Sequence, residues 1–248
     1  MLFYTYKEIH NADTPYEVKN CDIATFQYCK NKTNNTDFTL IKPHVTSIID
    51  LTQTNKELWH NINPSTRSNI NRAKREHIFI EKNKHYNQAY KLYKLLLKKK
   101  KYASVHGLLT IFGIGSVSKK TMNQYATLFT ARIDQEIIAM MAFLESKTSI
   151  HAWLGGSKRL NVNKDKAKKI SNANRLIIWE AIQYAKNKGM QEFDLGGIFS
   201  DKEIQQDPQK KGIREFKRQF GGTKVTRYQY QKIYSPTLKI LYKLYDKI

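Results

Sequence analysis

The residues best equipped for chemistry are cations, and they fall in two runs. In Ser65-Thr66-Arg67-Ser68-Asn69-Ile70-Asn71-Arg72-Ala73-Lys74-Arg75, the residues Arg67, Asn71, Lys74 and Arg75 are helical neighbours of Arg72, so several positive charges share a narrow stripe. Like charges repel at that spacing, and a visiting anion relieves the repulsion. A planar guanidinium takes two phosphate oxygens at once, which singles out Arg67 and Arg72 as candidate phosphate ligands. A solvated helix face is the competing reading. The second run, Lys210, Lys211, Arg214, Lys217 and Arg218, is a basic helix face that includes Arg214, a candidate for meeting an anionic substrate. Between the runs, Glu192-Phe193-Asp194-Leu195 reads as a strand ending at Gly196-Gly197, where backbone must approach something closely. Ligands of open α/β sheets gather beyond the carboxyl ends of strands, so Gly196 and Gly197 border a candidate cleft. Asp194 could serve there as a base, or could cap the turn or pair with an arginine; the second role is preferred. Trp153 and Phe193 read as core. The histidines at 10, 44, 60, 77, 85, 106 and 151 lack ligand spacing, and Cys21 and Cys29 have no second pair, so no metal site, nucleophile triad or disulfide framework is expected.

These residues need elements to hold them. Residues 1–55 read as short extended pieces, among them 23–28 and 45–51, separated by turn chemistry such as Asn11-Ala12-Asp13-Thr14-Pro15. Thr54 with Glu57 fits a capping box, Asn63-Pro64 is a break, and Ser65 opens the basic helix that runs to about Arg75. Residues 86–102 form another amphipathic helix. From Thr127 the period becomes two, giving strands 127–134, 136–145 and 149–154 in an antiparallel meander with a hairpin at Asp134-Gln135. A long helix is expected from about Asn172 to Lys188, stopped by Gly189, then the strand at 192–195, a helix over 212–220, a strand over 223–234 and a final helix capped by Ser235-Pro236. Strand, strand, strand, helix, strand, helix, strand is a layered α/β domain around one central sheet. The expected division is an incomplete sheet over 1–55 and the main domain over 56–248.

The 248 residues carry 43 Lys+Arg against 21 Asp+Glu, a net charge of +22. Residues 1–55 hold 5 basic and 6 acidic side chains, so the whole excess lies beyond Asn55, where 38 basic face 15 acidic ones. Such a surface attracts nucleic acid, pyrophosphate metabolites or an anionic membrane. No apolar run approaches the roughly 20 residues of a membrane span, and the start lacks an export signal, so a cytoplasmic protein is expected. The last helix sets Leu238, Leu241, Leu244, Tyr245 and Ile248 opposite Lys239, Lys243 and Lys247; peripheral membrane contact and packing on its own domain both fit.

Four motifs in order carry a resemblance: 65–75 above, then Ala152-Trp153-Leu154-Gly155-Gly156-Ser157, Phe193-Asp194-Leu195-Gly196-Gly197, and Phe216-Lys217-Arg218-Gln219-Phe220-Gly221-Gly222. Together they resemble the Fem-type peptidoglycan aminoacyltransferases over about residues 51–234. The resemblance implies a GNAT-like (acyl-CoA N-acyltransferase) fold and transfer of an amino acid from aminoacyl-tRNA to a precursor bearing pyrophosphate, lipid- or nucleotide-linked. It places Phe216 and Lys217 as the catalytic pair, with the Lys217 ammonium meeting the charged end of the donor and the Phe216 carbonyl accepting from the attacking amine. Full members carry two such folds, whereas this chain has one and a stub, so a homodimer would have to supply the missing half, or the substrate differs. No separate cofactor is implied. Acetyl-CoA is disfavoured, because Lys168-Lys169-Ile170-Ser171-Asn172-Ala173-Asn174, read as the start of the long helix, has no glycine to cradle a pyrophosphate. The alternatives are an acyl-CoA-dependent N-acyltransferase acting on a nucleotide-linked or surface-polysaccharide amino sugar, and a non-catalytic RNA-binding module.

Overall fold

In the computed structural model, residues 5–100 and 117–245 are described. The chain divides into two units, one made of Met1–Thr46, Gly197–Phe199 and Lys224–Ile248, the other of Ser47–Gly196 and Ser200–Thr223.

The larger unit is an α/β layer. Its strands lie in the order β3 (Thr39–Asp50, entering from Ser47), β8 (Glu192–Gly197), β7 (Ser149–Ser157), β6 (Glu136–Glu145), β5 (Ala126–Ile133) and β4 (Phe79–Lys82). The expected meander is present, with β5, β6 and β7 antiparallel in sequence and Asp134 at φ +50° in the two-residue hairpin turn. Strand β4, which alternation alone did not reveal in four residues, pairs antiparallel with β5. Among the described residues, seven α-helices accompany this sheet: α1 (Asn55–Asn61), α2 (Pro64–Arg75), α3 (Tyr86–Lys100), α4 (Lys119–Tyr125), α5 (Lys164–Asn187), α6 (Asp201–Gln206) and α7 (Gln209–Arg218). The capping box expected at Thr54 and Glu57 is formed, each residue bonding the other's backbone N–H. Tyr102, the expected end of the helix now seen as α3, lies outside the described residues.

Helix α5 begins eight residues earlier than its apolar periodicity suggests. Asn163 caps it by accepting from the Lys166 N–H at 2.9 Å, and Asp165 complements the dipole in the first turn. Its opening turns are largely polar, so polarity there marks solvent exposure rather than a loop. Residues Ile170, Ala173, Ile177, Ala181 and Ala185 then line the buried face, and Gly189, at φ +75°, follows the C-cap as expected. Helix α5 and β5–β8 share a core that contains Phe129, Phe143, Ile150 and Phe193, and Phe193 is fully buried as expected. A second cluster joins Ala89 and Leu92 of α3 to Leu128, Met140 and Ala142, with Trp153 packed on it. Helix α3 approaches so closely that a Cβ on Gly156 would stand 3.0 Å from the Leu92 carbonyl carbon and the Tyr93 nitrogen, which explains one glycine of the Gly155-Gly156 pair.

The smaller unit pairs β1 (Tyr6–His10) parallel to β2 (Ile23–Cys29), β2 antiparallel to β9 (Thr223–Ile233), and β9 beside β3, with α8 (Pro236–Tyr245) following. Its apolar side gathers Ala24, Phe26, Cys29, Phe38 and Tyr230. The boundary expected at residue 55 thus gives way to a different grouping: residues 1–46 take β9 from the far end of the chain, a long-range pairing that local composition cannot disclose. In α8, Leu241 is exposed and Leu238 half-buried, while Ile248 lies outside the described residues.

Candidate active site

Strands β7 and β8 run parallel, and their register joins Ser149 to Glu192, Ile150 to Phe193 and His151 to Asp194. Both strands then continue, to Ser157 and Gly197, beyond the last paired residues. Just past that point β7 carries a bulge: Ala142 faces Leu154 while Phe143 faces Ala152, leaving Trp153 as the extra residue. A bulge re-aims the strand and ends regular pairing, as happens commonly beside active sites. His151 and Asp194 therefore stand side by side where the two strands stop being laced together.

Both are buried, at 2% and 3% exposure, and His151 Nδ1 lies 3.1 Å from Asp194 Oδ2. The other carboxylate oxygen accepts the Gly196 N–H at 2.6 Å. Gly196 has φ +79°, open to glycine at little cost, and a Cβ there would stand 3.3 Å from Lys217 Nζ, 3.3 Å from the Ala152 carbonyl and 3.8 Å from His151 Cε1. The lysine amine thus reaches the site through space that only glycine leaves. Burial pushes Lys217 down to about 8, against the upward pull of the Asp194 carboxylate.

Helix α7 brings Lys217 there, and its neighbours fix the helix. Phe216 packs edge-on to Phe220 at 5.5 Å and under the Arg175 guanidinium of α5 at 5.2 Å. Arg175 donates to Ser171 Oγ at 2.7 Å, to the Ser171 carbonyl at 3.1 Å and to Gln219 Oε1 at 3.0 Å; Thr66 of α2 donates to the same Gln219 oxygen at 2.9 Å. Burial, with Arg159 adding, holds Arg175 below the usual arginine value. After α7 the chain turns through Gly221 and Gly222. A Cβ on Gly221, which has φ +77°, would meet the Asn61 carbonyl oxygen at 2.5 Å, and one on Gly222 would meet Ser47 Oγ at 2.4 Å.

Of the residues expected from sequence, the structure gathers Asp194, Gly196 and Lys217, with Phe216 adjacent. Gly197 belongs to the smaller unit, where its successor Ile198 donates its N–H to the Val45 carbonyl. Arg214 bonds Asp201 at 2.6 Å and lies 3.7 Å from Glu215. Arg72 pairs with Glu76 at 2.9 Å on the surface of its own helix. Arg67 aims Nη1 at the carbonyls of Trp59, His60 and Ile62, at 3.3, 2.7 and 3.0 Å, so it closes the C-terminus of α1, and an anion would compete with three acceptors for that nitrogen. Sequence reasoning passed over His151 and Arg175. His151 could have been found only from the strand register that sets it against Asp194. The segment 168–174 lies inside α5, so the stretch preceding the helix is Ser157-Lys158-Arg159-Leu160-Asn161-Val162-Asn163, again without glycine. A cavity of about 700 Å³ there is lined by Asp134, Glu136, Asp165, Lys166 and Lys169, and Glu136 already accepts from Lys158 at 2.6 Å and Lys166 at 2.7 Å. Among the described residues no cluster of side chains could hold a metal ion, and no helix is long and apolar enough to cross a membrane.

Residues 119–218 match a family model described as an acetyltransferase (GNAT) domain, a stretch that runs from α4 to the last residue of α7 and contains His151, Asp194 and Lys217. The fold is that of the GNAT acyltransferases. FemX shares it at a TM-score of 0.59 and 12% identity, over 86% of this chain and 66% of that one. So do L-PGS from Bacillus licheniformis, at 0.53 and 16% over 88% and 71%, and a C-terminal domain assigned to a lysylphosphatidylglycerol synthetase from Agrobacterium fabrum, at 0.52 and 14% over 84% and 67%. The chain spans about two thirds of the length of these structures. No curated protein matches it. FemX is thus among the structures that share the GNAT fold, and within that fold Lys217 sits where the parallel strands β7 and β8 stop pairing.

Proposed function

We propose that this GNAT-fold chain is an aminoacyltransferase that takes an amino acid from aminoacyl-tRNA and forms an amide on a pyrophosphate-bearing cell-envelope precursor, lipid- or nucleotide-linked. The observation that carries the reading is the partly buried Lys217 amine held against Gly196 beside a buried His151–Asp194 pair. Moving an amine onto an activated ester asks for orientation and stabilisation of the developing oxyanion, and needs no side-chain nucleophile. In this reading the Lys217 side chain meets the aminoacyl end of the donor and the Phe216 carbonyl receives the attacking amine. Arg214 and the other cations of α7 serve the acceptor arm, and Arg72, with whatever of Arg67 the α1 carbonyls leave free, faces precursor phosphate. The positive excess beyond Asn55 suits two polyanionic reactants in a cytoplasmic setting. A second copy of the chain or a peripheral membrane contact would supply surface that one fold lacks.

The acetyltransferase family match favours a second reading, acyl transfer from acetyl-CoA. Against it stands the start of α5, where Asn163 already occupies the Lys166 N–H, and Glu136 and Asp165 would oppose a pyrophosphate. Incubating the protein with charged tRNA and, separately, with acetyl-CoA, each with amine acceptors, decides between them. Transfer from charged tRNA is expected. Transfer from acetyl-CoA alone overturns the reading, and tight tRNA binding with no transfer to any acceptor makes the chain an RNA-binding module.

A further inference from the structure

The Lys217 site has more structure than a cation meeting a charged donor requires. A lysine placed only to neutralise charge works best hydrated and protonated at the end of a free stem. Lys217 is instead enclosed, its Nζ 3.3 Å from where a Gly196 Cβ would stand, and the wall it meets is organised by one carboxylate. Asp194 uses Oδ1 to hold the Gly196 N–H at 2.6 Å, which secures the left-handed turn that makes room for the amine. Its Oδ2 lies 3.1 Å from His151 Nδ1 on the neighbouring strand. A reacting group, a partner that orients it, and a third group that orients the partner is the arrangement of an assisted acid–base site.

We propose that Lys217 is the proton acceptor of the transfer and that the buried His151–Asp194 pair is its positioning device; the first part rests on the acyl-transfer reading above. The amine lone pair of the acceptor forms the new C–N bond at the ester carbonyl, and Lys217 Nζ takes the proton the nitrogen loses. The C–O bond to the ribose then breaks as the Lys217 ammonium returns that proton to the departing hydroxyl. The groups that face the lysine are consistent with this cycle. From β8 comes Asp194, which favours the ammonium once formed; from β7 comes His151, turned to Asp194. The cations beyond them have partners of their own: Arg175 of α5 is stacked on Phe216, and on α7 Arg214 is held by Asp201 and Glu215 while Arg218 lies 3.4 Å from Glu215. Burial lowers the cost of the neutral amine, and Asp194 keeps it basic enough to accept a proton.

The test has two arms on the full chain. In the first, transfer is measured against pH for wild type, Lys217→Arg and Asp194→Asn. A permanently charged arginine still neutralises the donor but accepts no proton, so Lys217→Arg should lose at least about 100-fold in turnover. Wild-type turnover should rise through about pH 8, and that limb should move to lower pH in Asp194→Asn, because removing the carboxylate takes away what raises the lysine. In the second, trace acetic anhydride labels amines across the same range and mass spectrometry reads Lys217. Its labelling should titrate with the same midpoint as turnover, well below the surface lysines; this arm needs no variant to fold and no assumption about the reaction. Lys217→Arg retaining transfer within tenfold, or Lys217 labelling like a surface lysine, overturns the proposal and leaves the donor reading standing. Wild type that transfers from no donor overturns both.

Discussion

A lysine amine enclosed by protein loses the hydration that supports its charge, and at Lys217 that loss acts on stability as well as on reactivity. Its folded value of about 8 lies below the roughly 10.4 of an unfolded lysine. The stability gained from the neutral form is complete only above the unfolded value and disappears as pH falls through the folded one, so at neutral pH the partly buried ammonium opposes folding. Lys217→Met should therefore abolish transfer while its Tm at neutral pH stays equal to or above that of wild type, as thermal unfolding will show. A lower Tm would make the side chain structural. Gly196→Ala should behave differently, costing about 1–2 kcal/mol in chemical denaturation for the strained φ and also depressing transfer, since its Cβ would intrude on Nζ and on the Ala152 carbonyl.

The elements divide into those whose rules are local and those whose rules are not. Thr54 with Glu57, the Asp134 turn, the Gly189 stop and the β5–β6–β7 meander all follow from residues within a few positions of one another, and each is present as the sequence implies. The start of α5 was hidden because its first turns face water and so carry no apolar period; only the Asn163 cap reports it. The His151–Asp194 pair was hidden for a stronger reason. It exists only because a parallel crossover through α5 sets two distant strands in one register, and no property of either residue predicts that register. Lys217 and Gly196 were found through motifs, but not the fact that one makes room for the other. Arg67 shows the reverse case, since its spacing suggested phosphate but did not disclose that one nitrogen of its guanidinium ends a helix. Arg67→Ala should accordingly destabilise the protein by about 1–2 kcal/mol in urea unfolding, through three lost carbonyl bonds at α1. Arg72→Ala, on an exposed pair, should stay within about 0.5 kcal/mol of wild type.

For the whole molecule the scarce charges are the acids, 21 against 43 bases, and several of them are held by cations. Burial pushes the Glu145 carboxyl up, but Lys188, Thr127 and Tyr184 outweigh it and hold it below the usual range. Burial raises Glu81 likewise and is overcome by His85, Arg132 and Lys84, while Lys158 and Lys166 lower Glu136. Carboxyls held low in the folded state contribute stability above the ordinary glutamate value and lose it as pH falls through the lowered ones. The urea midpoint should thus drop steadily from about pH 5 to about pH 3, where the protonated chain also carries its full positive charge unopposed. A midpoint that stays level over that range would show these pairs to be energetically idle.

The Gly221-Gly222 turn has a consequence for anyone who wishes to move this chemistry. With the Asn61 carbonyl at 2.5 Å from one missing Cβ and the Ser47 hydroxyl at 2.4 Å from the other, the turn helps seat the lysine-bearing helix by the room its glycines leave. The reactive amine is thereby aimed by atoms that are not there. Grafting Lys217, Asp194 and His151 onto another scaffold would transplant the reagents without the mount, and the paired glycines would have to travel with them.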